Sequence, residues 1–493
     1  MIPLLAQTEI PAPTISWLGI APELTLAVGA ALVLLIEVQW KPSRRLLAWT
    51  AGAALLAAAA FSVALHVLIE GGEGIDTFLP FAGMIALDLF GVFARYVLLV
   101  AAGLGLLAAR RMIDEMGTRS AEMVALMLLS TAGFSLMAVS ANLVMTFLGL
   151  EVGSISLYVL AGFARERMDS DEAAIKYFLL GSFASAIFIY GVALVFAGTG
   201  SFELEGVRRH LADMVVLQPG VILVGLALVI VGLSFKVTAA PFHSWAPDVY
   251  QGAPAGVVGF MAAVAKIGGF AALVRILVSA FGEMADDWAP VVAGVSALSM
   301  VLGSVLAIVQ DDVRRLLAYS GVAHAGFILT GVLSGGEGTA DVWFYLAVYA
   351  VQLVAAFAVV SAVSGSSGTR SQLADYAGLS QRQPYLAATF TVVLLGMGGI
   401  PLTAGFVAKF GVFADAWAAG FGWVVIVGVL ASVVAFFLYL RVVVTMYMDE
   451  PGEAALTSPA GVRWVMGLAV IVTLVLGVYP APLLDLAANA LPL

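Results

Sequence analysis

Runs of about 20 consecutive apolar residues fill most of the chain, and this feature constrains its fold more than any other. A helix of that length crosses the roughly 30 Å of hydrocarbon in a bilayer. Only helices and closed barrels satisfy their backbone hydrogen bonds in lipid, and a barrel would instead show strands of about ten residues that alternate apolar and polar positions. The runs therefore predict an all-α polytopic membrane protein.

The composition supports this class. Of the 493 residues, 62% are hydrophobic and 11% are charged, whereas soluble domains carry about 25% charged residues. Soluble enzymes, nucleic-acid-binding proteins and disordered chains are excluded. The chain has no cysteine and four histidines without metal-ligand spacing, so we expect no cofactor and no metal on it.

The apolar runs predict about 14 transmembrane helices. Their approximate ranges are 16–38, 46–69, 84–108, 121–139, 142–163, 174–198, 218–240, 254–279, 289–309, 316–334, 342–364, 385–419, 422–446 and 464–487. The range 385–419 is too long for one straight span, and it contains Gly-Met-Gly-Gly-Ile-Pro at 396–401, which predicts a broken helix.

Basic residues in the predicted loops fall almost entirely on one side of this map. The opposite side receives only Arg208 and Arg209. By the positive-inside rule the side that carries most of the basic residues is cytoplasmic, and both termini lie on the non-cytoplasmic side. The fourteen residues on the cytoplasmic side are Lys41, Arg44, Arg45, Arg110, Arg111, Arg119, Arg165, Arg167, Arg314, Arg315, Arg370, Arg382, Arg441 and Arg463.

The other six basic residues lie inside predicted spans, where a charge at the bilayer centre costs at least about 2.5–3.5 kcal/mol. Arg95 and Arg275 are open to interpretation as structural ion pairs or as side chains that reach the interface. Lys176 is only a few residues inside its span, so an interfacial role and a functional role both stay open.

Four charged residues are placed deep in the predicted spans: Glu151, Lys236, Lys266 and Lys409. Burial disfavours the charged form of a lysine, and a nearby carboxylate favours it. Alternating glutamate and lysine sites can therefore act as a switchable proton relay. His324, inside another predicted span, is either a further proton carrier or a hydrogen-bonded core histidine.

Prolines close to two of these lysines predict broken helices. Pro241 follows Lys236 by five residues, and Pro401 precedes Lys409 by eight. Broken helices that carry ionisable residues in corresponding positions of two halves indicate a transport pathway, although a proline break that only adjusts packing stays open. Spans four to eight and nine to thirteen would form the halves, and because five is odd the second half must be inverted.

This arrangement predicts four parts of the chain. They are an N-terminal three-helix segment (1–120), a first five-helix repeat (121–280), a second, inverted five-helix repeat (281–447) and a C-terminal helix (448–493). Each repeat contains one broken helix.

Three motifs resemble the antiporter-like subunits of complex I, the proton-pumping NADH:quinone oxidoreductase. They are Pro-Phe-His-Ser-Trp-Ala-Pro-Asp-Val-Tyr-Gln-Gly-Ala-Pro at 241–254, Asp-Val-Arg-Arg-Leu-Leu-Ala-Tyr-Ser-Gly-Val-Ala-His at 312–324 and Gly-Ile-Pro-Leu-Thr-Ala-Gly-Phe-Val-Ala-Lys-Phe at 399–410. The loop Asp-Val-Tyr-Gln-Gly-Ala-Pro and the lysine at 409 are similar to the N branch of that family. One departure is Ala255, where the family often has a further proline.

The resemblance implies a role for each candidate residue. Glu151 and Lys236 would form a pair that Lys176 modulates, Lys266 would be the central connecting lysine, and Lys409 would belong to the second half-channel. His324 would lie on the same hydrophilic axis. The family couples quinone reduction in other subunits to proton translocation here, so FMN, iron–sulfur clusters and quinone are expected on partners.

The resemblance also implies a setting, namely a bacterial inner membrane with subunits M, K and J as expected neighbours. Two alternatives stay open. One is a subunit of a multisubunit cation/proton antiporter, which shares the same motifs. The other is a stand-alone secondary transporter with a solute site at the helix breaks.

Overall fold

The protein is a bundle of helices in a computed structural model that describes residues 16–40, 44–72, 83–213, 219–365, 370–452 and 456–492. Lys41 of the predicted basic set lies outside these residues. The α-helices are α1 (Trp17–Trp40), α2 (Arg44–Glu70), α3 (Leu89–Ala108), α4 (Arg110–Glu115), α5 (Ser120–Ala138), α6 (Leu143–Ala161), α7 (Met168–Thr199), α8 (Leu204–Asp213), α9 (Pro219–Lys236), α10 (Trp245–Gly252), α11 (Ala255–Arg275), α12 (Ala285–Ile308), α13 (Val313–Val332), α14 (Thr339–Ser364), α15 (Leu379–Arg382), α16 (Pro384–Gly398), α17 (Ala404–Ala418), α18 (Gly422–Met448), α19 (Ala460–Val478) and α20 (Ala481–Ala488).

The all-helical membrane class is confirmed. Within the described ranges, 12 helical segments are long and apolar enough to cross a membrane. The two remaining predicted spans are also helical: 316–334 corresponds to α13, and 385–419 corresponds to the half-helices α16 and α17. The count of fourteen spans stays a prediction.

Two predicted spans differ from the observed helices at their ends. The span predicted at 464–487 is two helices, because Pro480 lacks the amide hydrogen that would continue α19 beyond Val478. The span predicted from residue 84 begins at Leu89, since the Asp88 side chain accepts the Gly91 amide and caps α3 there.

Both regions around the two prolines are non-helical. The chain leaves α9 after Lys236 and resumes a helix at Trp245, with Pro241 between them. It leaves α16 after Gly398 and resumes at Ala404, with Pro401 between them. Each break frees backbone carbonyls that a continuous helix would have used internally.

Glycine allows two pairs of helices to approach until their backbones touch. A Cβ on Gly133 of α5 would lie 2.2 Å from the Gly153 nitrogen of α6. A Cβ on Gly303 of α12 would lie 2.3 Å from the Ala323 nitrogen of α13. Small residues at such contacts are typical of membrane helix pairs. A shift of 170 residues relates each member of the first contact to its counterpart in the second.

The same shift relates the starts of α6 and α13. The Asn142 side chain accepts the Val144 amide, and the Asp312 side chain accepts the Arg314 amide. Both capping residues also form an isolated antiparallel bridge, Asn142 with Glu203 and Asp312 with Gln372. These correspondences support the predicted repeats, whose boundaries at 121–280 and 281–447 stay predictions.

Carboxylates pair with both buried arginines that had two interpretations. The Arg95 Nε donates to Glu23 Oε1 of α1 at 2.9 Å, and Ser135 of α5 donates to the same carboxylate. The Arg275 guanidinium lies 2.5 Å from Asp88 Oδ2. These buried pairs join α1 and α3 to α5 and α11, and they favour the structural interpretation of both arginines.

Candidate functional site

Aromatic rings surround the ammonium group of Lys236 at the end of α9. The side chain is 2% exposed. Its Nζ lies 5.3 Å from the centroid of Phe134, 5.6 Å from that of Tyr158 and 5.5 Å from that of Tyr177. Rings within about 6 Å attract a cation through their negative faces. The three rings come from three helices, α5, α6 and α7, so the lysine lies at their common junction.

Glu151 of α6 belongs to the same site. The carboxylate is half-buried, and Ser185 of α7 donates a hydrogen bond to it. It is near enough for its charge to act on both Lys236 and Tyr158, yet no ion pair joins it to Lys236 within the described ranges. Glu151 and Lys236 of the predicted pair are therefore neighbours that make no direct contact.

Lys176 lies at the rim of the bundle instead. Its Nζ is 2.7 Å from Glu172 Oε1 and 2.7 Å from Asp248 Oδ2, and 41% of its side chain is exposed. The adjacent Tyr177 stacks on Trp245 of α10 with the ring centroids 4.4 Å apart. Contact between Lys176 and the Lys236 site thus runs through the neighbouring tyrosine.

Asp248 of α10 joins the two predicted halves at this rim. Lys176 and Arg315 both donate to its carboxylate, at 2.7 Å and 2.6 Å. Partial burial raises the pKa of Asp248, but these two hydrogen bonds outweigh burial and hold the pKa below its usual value. A polar cavity of about 320 Å³ opens beside the carboxylate, and Arg167, Gln251, Asp312 and Arg314 also line it. We call this end of the bundle the basic face.

Lys266 lies near the middle of α11, the most buried helix in the described chain. Its Nζ donates to the carbonyl of Val237 at 2.8 Å and to the carbonyl of Gly321 at 2.9 Å, and it also contacts the Thr238 hydroxyl. Val237 and Thr238 belong to the first helix break, whereas Gly321 belongs to α13. One ammonium group therefore connects the first predicted repeat with the second.

His324 lies one turn further along α13 in a cluster of tyrosines. Its Nδ1 is 2.9 Å from the Tyr345 hydroxyl, and its Nε2 is 3.2 Å from the Tyr439 hydroxyl. The ring stacks on Tyr349 with the centroids 4.3 Å apart. Both ring nitrogens thus contact hydroxyls that donate or accept protons.

Lys409 of α17 is buried at the second helix break. Its Nζ donates to the Gly398 carbonyl, the last residue of α16, at 3.0 Å. It also lies 4.6 Å from the centroid of Phe327. The charges of Lys266 and Lys409 both reach His324. The structure therefore brings together Lys236, Lys266, His324 and Lys409 as a row between the breaks, and it leaves Lys176 outside this row.

Sequence reasoning missed most of the partners of these cations. The aromatic contacts gave no signal because tyrosine and phenylalanine are ordinary core residues. Glu23 and Asp88, by contrast, could have been found as carboxylates at the ends of apolar runs. Within the described chain no three histidine, aspartate or glutamate side chains are grouped to hold a metal ion.

A family model described as NADH:quinone oxidoreductase/Mrp antiporter, transmembrane, matches residues 140–435. The chain belongs to this family. The matched range begins just before α6 and ends within α18, so it contains both helix breaks and the whole row of cations.

Two of the relatives belong to one branch of this family, subunit N of NADH-quinone oxidoreductase. The subunit N of NADH-quinone oxidoreductase from Salinispora arenicola is 41% identical, with 98% of this chain and 99% of that protein covered. The subunit N from Mycobacterium tuberculosis is 44% identical over 78% of this chain and 73% of its own. The predicted resemblance of the chain to the N branch of the family is thus confirmed.

Solved structures agree with the fold. A chain of respiratory complex I from Thermus thermophilus is 32% identical with a TM-score of 0.80, and the match covers 95% of this chain and 99% of that one. A chain of the Mrp complex from Dietzia gives a TM-score of 0.84 at 22% identity over 96% and 97%. The second likeness concerns the fold alone.

Proposed function

We propose that the chain is a membrane-arm subunit of a proton-translocating NADH:quinone oxidoreductase, and that it conducts protons along Glu151, Lys236, Lys266, His324 and Lys409 while partner subunits reduce quinone. Lys176 acts from the rim. The contacts of Lys266 carry the proposal. A buried ammonium group bound only to neutral oxygens lowers the stability of the fold, and ionisable residues placed at such a cost inside a membrane mark functional sites.

The chemistry of the row suits proton transfer. A lysine without a contacting carboxylate loses its proton more readily than a paired one. Glu151 and the rings around Lys236 stabilise the charged form without fixing it, since neither makes an ion pair with the nitrogen. Breaks in α9/α10 and α16/α17 bring polar carbonyls to the two ends of the row, as transport sites in broken membrane helices do.

Replacement of Lys266 tests the proposal in the assembled complex. Lys266→Arg keeps a charge that cannot be removed, and Lys266→Met keeps the length of the side chain without a charge. We expect both variants to lower coupled proton pumping in vesicles by about tenfold or more. Arg208→Ala, on an exposed loop helix, is the control. Normal pumping by a fully assembled Lys266→Met complex would disprove the relay.

The setting of the chain is part of the proposal. The membrane is a bacterial inner membrane, both termini face the non-cytoplasmic side, and subunits M, K and J are the neighbours. FMN, iron–sulfur clusters and quinone are bound by partner subunits and not by this chain. Native purification followed by mass spectrometry of the co-purifying subunits tests the partners.

The absence of cysteine allows a direct test of sidedness. Arg45→Cys and Arg208→Cys each introduce a single thiol, on opposite sides of the proposed topology. A membrane-impermeant maleimide added to spheroplasts, whose inner membrane is intact, should label only the Arg208→Cys variant. Labelling of the Arg45→Cys variant alone would show that the orientation is opposite to the proposed one.

The multisubunit cation/proton antiporter is the second candidate, since the family model covers both classes. It predicts co-purification with small membrane subunits only, and sodium-dependent transport in the absence of NADH. Co-purification with hydrophilic redox subunits excludes it.

A further inference from the structure

Two carboxylates of the second predicted repeat contact each other without a cation. Asp341 lies in the first turn of α14, and Asp415 lies near the end of α17. The Asp341 carboxylate packs against Gly411 of α17, one turn before Asp415, so the two carboxylates lie on the same side of that helix. Within the described ranges neither takes part in an ion pair, and one oxygen of Asp415 is buried without a hydrogen-bond partner.

A hydrogen bond between two carboxyl groups needs a proton on one of them, because an ionised carboxylate only accepts. Two like charges in contact also cannot both persist in a low-dielectric setting. Both side chains are half-buried, and two carboxylates placed this close favour the state in which one of them carries a proton.

A glycine in α17 makes room for the Asp341 carboxyl group beside Asp415. A Cβ on Gly411 would lie 2.1 Å from Asp341 Oδ1, so the missing side chain leaves the space that the carboxyl group occupies. Gly411 and Asp415 lie one turn apart on the same side of α17. Any larger residue at 411 would push Asp341 away from Asp415.

The pair also lies between Lys409 and the surface. Asp415 follows Lys409 by six residues, which places it about 9 Å further along the axis of α17, towards the end of that helix. On the other side, the exposed Glu337 in the turn Gly335–Gly338 is near enough for its charge to act on Asp415. This end of α17 faces away from the basic face.

We propose that Asp341 and Asp415 are a proton-sharing pair that passes protons between Lys409 and the face opposite the basic face, with Glu337 as the contact to solvent. The inference rests on the proposed function, and it adds the terminal proton carriers of the second half-channel. Asp341 and Asp415 exchange a proton and form no covalent intermediate, so the step balances with one proton received and one released.

The test uses the assembled complex in vesicles and the variants Asp341→Asn and Asp415→Asn. Asparagine has the same shape and keeps a hydrogen bond to the remaining carboxylate, but it carries no exchangeable acidic proton. We expect pumping to fall about tenfold in each, and Asp415→Glu to restore part of it. Asp287→Asn changes an exposed carboxylate near the same face and is the matched control.

A second measurement keeps a structural defect distinguishable from a proton-transfer defect. The wild-type complex should show the infrared carbonyl stretch of a protonated carboxylic acid at neutral pH, and each asparagine variant should lose it. Gly411→Ala should weaken the same band, since it displaces Asp341. If the band is the same in all the variants, the shared proton is disproved.

Lys409→Ala separates this inference from the proposed function. If Lys409→Ala abolishes pumping while Asp341→Asn and Asp415→Asn pump normally, the relay stands and the pair is not part of it. If Lys409→Ala pumps normally, the proposed function itself fails. Loss of pumping in all three, with the infrared band absent only from the aspartate variants, supports both.

Discussion

The two predicted repeats share a backbone scaffold but differ in the polar groups attached to it. Gly133 against Gly153 and Gly303 against Ala323 are equivalent backbone contacts, and Asn142 and Asp312 are equivalent caps. The lysines at the breaks are held differently, however, because three rings surround Lys236, whereas Lys409 faces one ring and also donates to a carbonyl. The repeat therefore fixes helix packing, while the proton chemistry is specific to each half.

The outer carboxylates differ most. At the basic face, Asp248 is neutralised by Lys176 and Arg315. At the opposite face, neither Asp341 nor Asp415 pairs with a cation among the described residues, and the proposed shared proton takes the place of one. An ion pair holds its charges constant, whereas a shared proton can leave. This contrast indicates a positioning role at the first face and a transfer role at the second.

The largest effect should come from the shared scaffold. Gly133→Ala and Gly303→Ala each place a methyl group against backbone that cannot move aside, so we expect loss of the assembled complex, at a cost of about 1–3 kcal/mol or more. Quantitative immunoblots of membranes measure it. Gly294→Ala on α12 is the control, because its Cβ would meet open space. If only one of the two variants is lost, the halves are not equivalent in packing.

Lys236→Ala and Lys409→Ala should have the next largest effect. Both lysines lie in the proposed path, so we expect proton pumping to fall by about tenfold or more while assembly is retained. Pumping in vesicles and NADH:quinone reduction in the same preparation are the measurements. A defect in Lys236→Ala but not in Lys409→Ala would confine the path to the first half.

Asp248→Asn should have a smaller effect. It removes the charge that holds Lys176 and Arg315 together at a partly exposed rim, where an ion pair contributes less than about 1 kcal/mol. We expect a slightly lower melting temperature and pumping reduced no more than about twofold. Loss of pumping as large as in Lys236→Ala would make Asp248 a proton carrier and not a positioning residue.

Acid should abolish the difference between Asp248→Asn and wild type. The pKa of Asp248 is lower in the folded protein than in the unfolded chain, so its contribution to stability is complete above the ordinary value of about 3.9 and is lost as pH falls through the folded pKa. Melting temperatures of the two complexes should differ at pH 7 and converge only when pH falls below the folded pKa of Asp248, which is lower than its usual value. A difference that persists in acid would show that packing, not charge, is what the substitution removes.

Arg208→Ala should have the smallest effect. Arg208 pairs with Glu205 on the exposed helix α8, away from both halves of the path, and the pair is screened by water. Pumping and melting temperature should equal those of wild type within error. A clear defect would indicate a partner contact at that surface.

The class of fold was predictable because hydropathy and charge placement act along the chain. Lys236, Lys266 and Lys409 stood out since a charge within an apolar run is expensive wherever the run packs. The contacts of Lys266 were not predictable, because Val237 and Gly321 are 84 residues apart and offer only backbone carbonyls. Asp341 and Asp415 were missed for a similar reason, as each lies near the end of a span, where carboxylates are common.

The three bonds of Lys266 have a mechanical consequence. An ammonium group has three N–H donors and the neutral amine has two, and here the acceptors belong to both the first break and α13. The neutral amine would keep two donors for these three oxygens, so loss of the proton would weaken the contact that joins the first break to α13. The protonation state of one side chain is thus linked to how firmly the two predicted repeats are held together.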